Sequence, residues 1–209
     1  ILMNYYRNIL TLIGLGILSV GSILQAEAMD VLDNPVLEIN RVQNAIKIDG
    51  NLTELEWGKA KGTDYFLEIE PGENIIPAEK TEVKVTYDDQ NLYVAFWAFA
   101  DPMDIRASYQ NRDQAWMDDF VAIFLDTYGD ANVGTLIGSN PYGIQMDALN
   151  NGSGNDDPSF DLVYKSQGKI TDEGYQVEMA IPFSSLSFPD KLEKFNKCVL
   201  FFQQLLVRK

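Results

Sequence analysis

The sequence predicts an all-β fold, an antiparallel β-sandwich of jelly-roll-like form with short helical turns. Three observations predict it. Apolar and polar residues alternate with a period of two in several runs after residue 60, where helical periodicity is weak. Turn signals rich in Asp, Asn and Gly separate those runs at close spacing. Apolar residues make up 46% and aromatic residues 11% of the 209 positions, enough for a core between two sheets and too many for a disordered acidic chain.

The elements follow in order. Ile46-Lys47-Ile48-Asp49-Gly50 reads as an opening strand and turn, and Leu52–Lys61 as one or two helical turns with Trp57 packing inward. Thr81–Tyr87 alternates, with Val83, Val85 and Tyr87 on one face. The turn Asp88-Asp89-Gln90-Asn91 joins it to Leu92–Phe99, apolar on both faces and so expected to be a central, doubly covered strand that packs Trp97 in the core. Phe120–Leu125 is a short apolar strand closed by Asp126, followed by a loop through Asp130 and Asn132. Strands are expected near Val133–Gly138 and Tyr142–Leu149, around a turn at Ser139-Asn140-Pro141. Asn150–Pro158 reads as a Gly/Asn/Asp loop. Phe160–Ser166 and Gly174–Ile181 form the next expected hairpin, the latter with Tyr175, Val177, Met179 and Ile181 facing one way and Gln176, Glu178 and Ala180 the other. Pro182 opens a helical turn over Phe183–Leu186, because proline suits a first helical position. Val199–Val207 is the last expected strand.

Composition excludes some chemistry. Histidine is absent, which removes a Ser-His-Asp triad and a His-ligated zinc site. The formal net charge of −15 repels nucleic acid and anionic membrane surfaces and suits neutral or cationic partners and metal ions. The single cysteine, Cys198, has no partner for an internal disulfide and reads as a small buried hydrophobe.

The first 28 residues read as a signal peptide: Arg7, an apolar run from Ile9 to Leu24, and the small-residue site Ala26-Glu27-Ala28. Residues 29–40 read as a linker or lead-in, and 41–209 as the sandwich. The expected destination is the periplasm, the outer membrane or the extracellular space, where millimolar calcium is available.

The ordered segments resemble the family 9 carbohydrate-binding modules. Ile48-Asp49-Gly50 with Glu54 and Trp57 is similar to the family's lead-in motif, and Tyr87–Phe96 to its central hairpin. Asp118–Asp126 and Gly174–Phe183 resemble later family segments. The nearest variant is the amino-terminal domain of bacterial envelope proteins that carry a C-terminal β-barrel. The barrel is missing here, and residues from Leu192 onward fit the family less well, so the sandwich is expected to be cut short. The resemblance implies an exported, non-catalytic domain that binds an oligo- or polysaccharide in carbohydrate catabolism and holds structural calcium. The alternative is an envelope scaffold associated with an outer-membrane barrel. Glycoside hydrolysis carries less weight, because it needs two carboxylates at a set separation.

Family modules clamp sugar between two tryptophans. Of the three here, Trp57 and Trp97 read as structural, while Trp116 reads either as a sugar platform or as a lid over the sandwich edge. Tyr142 or Tyr109 would stand in for the second aromatic. Arg106, Arg112, Asn140 and Gln145 are the candidates for hydroxyl recognition. Arg112 offers a rigid fork of donors, or else a salt bridge to Asp118 or Asp119. Calcium-ligand candidates are Asp118, Asp119, Asp126, Asp88 and Asp89, with Asp130, Asn132, Asp156 and Asp157 also available. Turn formation alone also explains acidic residues at such positions.

Overall fold

The computed structural model describes residues 37–68, 75–129, 133–150, 156–157 and 159–188, and the backbone of 199–204. The expected signal peptide, most of the lead-in, Asp130, Asn132, Pro158 and Cys198 lie outside the described residues.

Two sheets are present among the described residues. The first holds β1 (Asn40–Arg41), β2 (Lys61–Thr63), β3 (Thr81–Tyr87), β4 (Asn91–Phe99), β9 (Lys165–Thr171) and β10 (Gly174–Pro182), in the order β1-β3-β4-β10-β9 with β2 also on β3. The second holds β5 (Phe120–Leu125), β6 (Gly134–Ser139), β7 (Gln145–Asn150), β8 (Asp156–Asp157) and β11 (Val199–Gln204), in the order β11-β5-β6-β7-β8. Pairing is antiparallel except between β1 and β3.

Period-two alternation decides what the sheets bury. Register aligns Val83, Phe96 and Val177 in one row of the first sheet, and Val85, Val94 and Met179 in the next. These rows meet Val121, Ile123, Leu125 and Ile137 of the second sheet in a single core. Each such side chain contributes about 1.5–3 kcal/mol when fully removed from water. The outer face of the first sheet is covered by α1 (Leu55–Lys59) and the segment before it, with Ile46 and Trp57 packed on Tyr93, Ala95 and Ala180.

Several expectations shift. Ile46–Gly50 is not a strand: Gly50 turns at φ +81°, and its N–H and that of Asp49 bond a side chain rather than a ladder. Trp97 is half-buried outside the core, because its register row (Glu82, Trp97, Gln176) lies on the outer face beyond the reach of α1. The hairpin arm before β10 is Lys165–Thr171. Residues 160–164 instead follow an irregular path that carries Leu162 and Tyr164 into the core. Asp156–Asp157 pairs with the end of β7 instead of lying in a loop. The turn after Asn140 delays β7 to Gln145. Phe183–Ser185 forms the expected turn as a 3-10 helix with Pro182 at its N-cap.

Candidate functional site

The connection from β4 to β5, residues 100–119, carries five of the predicted site residues, Arg106, Arg112, Trp116, Asp118 and Asp119, together with Tyr109. Its first half is fastened by a buried network. Ser108 donates its N–H to Asp118 Oδ2 at 3.0 Å and its hydroxyl to the same carboxylate. Asn140 donates from Nδ2 to Asp118 Oδ2 and to the Ser108 carbonyl, both at 2.9 Å. Asn140 Oδ1 accepts the N–H groups of Tyr142 at 3.0 Å and Ile144 at 2.9 Å. Both polar atoms of Asn140 are thus engaged in joining this loop to the turn before β7. Arg106 and Asp119 exchange bonds: Asp119 Oδ2 accepts the Arg106 N–H, and the Asp119 N–H donates to the Arg106 carbonyl. The Arg106 residue itself is exposed.

On this base Tyr109 lies flat against Tyr142, with ring centroids 4.2 Å apart and planes 3° from parallel. Tyr142 is half-buried, whereas Tyr109 is 79% exposed. The turn beneath Tyr142 is pressed against β9. Gly143 sits at φ +85°, and a Cβ there would lie 2.8 Å from Gly168 N. Ser166 donates its hydroxyl to the Gly143 carbonyl at 2.8 Å.

Arg112 fastens the second half of the loop. Its expected partners, Asp118 and Asp119, are engaged elsewhere, and its ion pairs go to other residues. Nη2 bonds Asp147 Oδ1 and the Leu162 carbonyl, the latter at 2.7 Å, and Nη1 bonds Gln145 Oε1 at 2.7 Å. Nε lies 3.0 Å from Asp161 Oδ1 and 3.4 Å from Asp113 Oδ2. The guanidinium carbon stands 5.4 Å from the centre of the Tyr164 ring. Gln145 passes the chain onward, donating to the Tyr164 carbonyl at 2.7 Å. Burial pushes the Asp147 carboxyl above its ordinary range, outweighing the Leu162 N–H and Arg112 that favour its charge. Burial likewise raises the Tyr164 hydroxyl, which is neutral and bridges β6 and β7 by accepting from Met146 N and donating to Gly138 O.

Trp116 is half-buried and meets Phe120 edge-on, centroids 5.8 Å apart at 88°. It covers Ala115, Phe120, Ala122 and Met146 on the outer face of the second sheet. Asp147, by register with Ile137 and Ile123, belongs to the inner face. Arg112 and Trp116 therefore leave the loop toward opposite faces of the sheet. Ser108, Asp113, Asp147, Asp161 and Tyr164 were not singled out from sequence. Alternation in Gln145–Asn150 points away from Asp147, which lies opposite the apolar Met146 and Ala148, and only register with Ile137 turns its face inward.

The carboxylates have evident counterparts. Both oxygens of Asp118 are met by donors. Oxygens of Asp113, Asp147 and Asp161 lie within 4.8 Å of one another but surround the Arg112 cation, so this cluster does not fit a second cation. Asp88 and Asp126 accept backbone N–H groups of their own turns, and Asp89 pairs with Arg41. Asp156 accepts from Asn150, and Asp157 from Ser159.

Two facing, mainly antiparallel sheets with a fastened aromatic loop beside the second define a β-sandwich domain. The chain belongs to the carbohydrate family 9 binding domain-like family, whose sequence model matches residues 48–203. Three solved structures share the fold. A candidate carbohydrate-binding protein from Bacteroides uniformis ATCC 8492 has a TM-score of 0.60 at 12% identity, covering 79% of this chain and 81% of its own. A family 9 module from Caldicellulosiruptor kristjanssonii in complex with cellotriose has a TM-score of 0.50 at 19% identity, over 70% of this chain and 67% of its own. The module from that organism in complex with glucose has a TM-score of 0.50 at 19% identity, over 72% and 70%. No curated protein matches the chain significantly.

Proposed function

We propose that this domain binds a saccharide without catalysing its cleavage, and that the exposed face of Tyr109 is the platform. The exposed Tyr109 ring stacked on Tyr142 carries the reading. A flat aromatic face covers the apolar C–H side of a pyranose, and planar polar groups nearby pair with its hydroxyls. Stacking on Tyr142 removes rotamer freedom from Tyr109 before a ligand arrives, which lowers the entropy cost of binding. Arg106 and Gln110, exposed on the same loop, carry donors, one of which Gln110 gives to Ser108 Oγ. Asn140 and Gln145 act from beneath, through their bonds to the loop. Family membership and the glucose and cellotriose complexes of similar folds support a neutral sugar as the first ligand to try.

The same reading includes export, supported by the signal-like residues 1–28, and a link to carbohydrate catabolism. It also includes structural calcium at the acidic turns of Asp88, Asp89 and Asp126. Asp118 and Asp119 are further ligands in this reading, and at all five carboxylates the ion would compete with the donors already in place. A second reading, an envelope scaffold beside an outer-membrane barrel, draws support from Trp116 as a lid and from Met103 and Met117 exposed along the loop.

A glycan array with and without chelator, followed by calorimetric titration of glucose and cellotriose, separates the two. Binding that is lost in Tyr109→Ala supports the platform. Failure to bind any glycan with calcium present removes the sugar-binding reading and leaves the scaffold.

A further inference from the structure

The loop between β4 and β5 is fastened at two points that straddle an exposed tip. At one, Ser108 is tied to Asp118 and Asn140. At the other, Arg112 is tied to Asp147, Gln145 and Leu162. Between them Tyr109, Gln110 and Asn111 all stand exposed. Three bonds at the second fastener go to chain segments distant in sequence, so the guanidinium pins the loop, β7 and the 160–164 segment together.

The backbone next to Arg112 shows how strongly this point is held. Asp113 has φ +61°, a left-handed conformation uncommon outside glycine and adopted by aspartate more readily than by most residues. Surrounding contacts can fix it there. Those contacts are present. Asp113 N donates to the Gln145 carbonyl at 3.0 Å, and Asp113 Oδ1 accepts the Asp147 N–H at 2.9 Å. The residue thus occupies the free edge of β7 in place of a neighbouring strand. Asp147 is 0% exposed, and its other oxygen accepts the Leu162 N–H, so its orientation is set from two sides.

We infer that Arg112 is a positioning residue: through Asp147 it holds the tip Tyr109–Asn111 in the conformation that presents the Tyr109 face. Arg112 touches no ligand in this assignment, since one guanidinium edge is filled by Asp147, Leu162 and Gln145, and Nε faces Asp161 and Asp113. The inference rests on the platform reading for its functional meaning, but the ordering of the tip is measurable without any sugar.

The test is a double-mutant cycle with Arg112→Gln and Asp147→Asn, read by amide hydrogen exchange of Ser108 and Asp113, the hydrogen-bonded amides at the two ends of the tip, in the ligand-free chain. Arg112→Lys is the milder variant, keeping the charge and losing the fork. Circular dichroism and the exchange of β5 amides report that the sheets are intact. Each single change is expected to speed exchange at Ser108 and Asp113 by about tenfold, and the double variant to add nothing more. Unchanged exchange at these two amides, or losses that add in the double variant, overturns the inference. Where the wild type binds cellotriose, Kd weakens by one common factor in both single variants and the double. A further loss on removing Arg112 from the Asp147→Asn background shows a direct contact to sugar and also overturns it. If the wild type binds no saccharide, the exchange result still decides the positioning role, and only the binding function falls.

Discussion

The carboxylate of Glu178 accepts the indole N–H of Trp57 at 2.7 Å, across 121 residues of chain. Its other oxygen accepts the N–H groups of Asp49 at 2.9 Å and Gly50 at 2.7 Å. Glu178 is 0% exposed and Trp57 2%. One outward-facing residue of β10 thereby fastens the Asp49-Gly50 turn and α1 to the first sheet. Glu178→Ala leaves three N–H groups without this acceptor, and a loss of at least about 3 kcal/mol in denaturant unfolding is expected. Glu178→Gln retains one acceptor oxygen and turns an amide toward N–H donors, so about 1–2 kcal/mol is expected. An unchanged unfolding midpoint in Glu178→Ala would show that the segment is held by apolar contacts alone.

Two acidic groups respond to pH in opposite senses. Burial holds Glu178 above its ordinary value of 4.5 despite its N–H partners. The folded chain therefore binds more protons than the unfolded chain in that window, and this group's contribution falls as pH rises through it. At Asp88 burial pushes the value up, but the N–H groups of Gln90 and Asn91 and the Tyr93 hydroxyl outweigh it and lower it below 3.8. Its contribution is complete above 3.8 and is lost as pH falls through the lower folded-state value. The stability gap between wild type and Asp88→Asn should be constant from pH 7 to about pH 5 and close below that. A gap that widens in acid contradicts the assignment.

Tyr109→Ala should abolish measurable saccharide binding while changing unfolding free energy by no more than about 0.5 kcal/mol, because the side chain is mostly in water. Titration calorimetry and urea unfolding on the same preparation check both halves.

Gly143→Ala should destabilise the chain by about 1–3 kcal/mol, since the position combines positive φ with backbone contact to β9. Because the turn also carries Tyr142, weaker saccharide binding should accompany the lower melting temperature. A neutral substitution would mean that β9 yields to the added methyl group.

Calcium bound to the folded chain alone should raise the thermal midpoint in proportion to the logarithm of its concentration. Melting curves in chelator and at increasing calcium measure this. Coincident curves would remove calcium from the account.

Much of the architecture was legible because sheet burial is a local periodic property. Thr81–Tyr87, read from alternation, and Phe120–Leu125, read as an apolar run, have the expected bounds, and the two faces of Gly174–Ile181 separate as expected. The lead-in and late-strand segments could be recognised, but not that Trp57 and Glu178 in them bond each other. In the site, Arg106, Asn140 and Tyr142 do gather around one loop and turn. The misread positions share one cause. Trp97 looks like core in a fully apolar strand, yet whether the outer face is covered at its row depends on where α1 ends. Arg112 reads from sequence either as a hydroxyl-recognition residue or as a partner of Asp118 or Asp119, yet it pairs with Asp147, 35 positions away, while Asp118 is taken by Ser108 and Asn140. Alternation, charge and turn chemistry in the sequence by itself determined an acidic β-sandwich with its inward residues named. Tertiary structure alone decided which polar groups meet, since partner choice is settled by competition among segments brought together only when the sheets close.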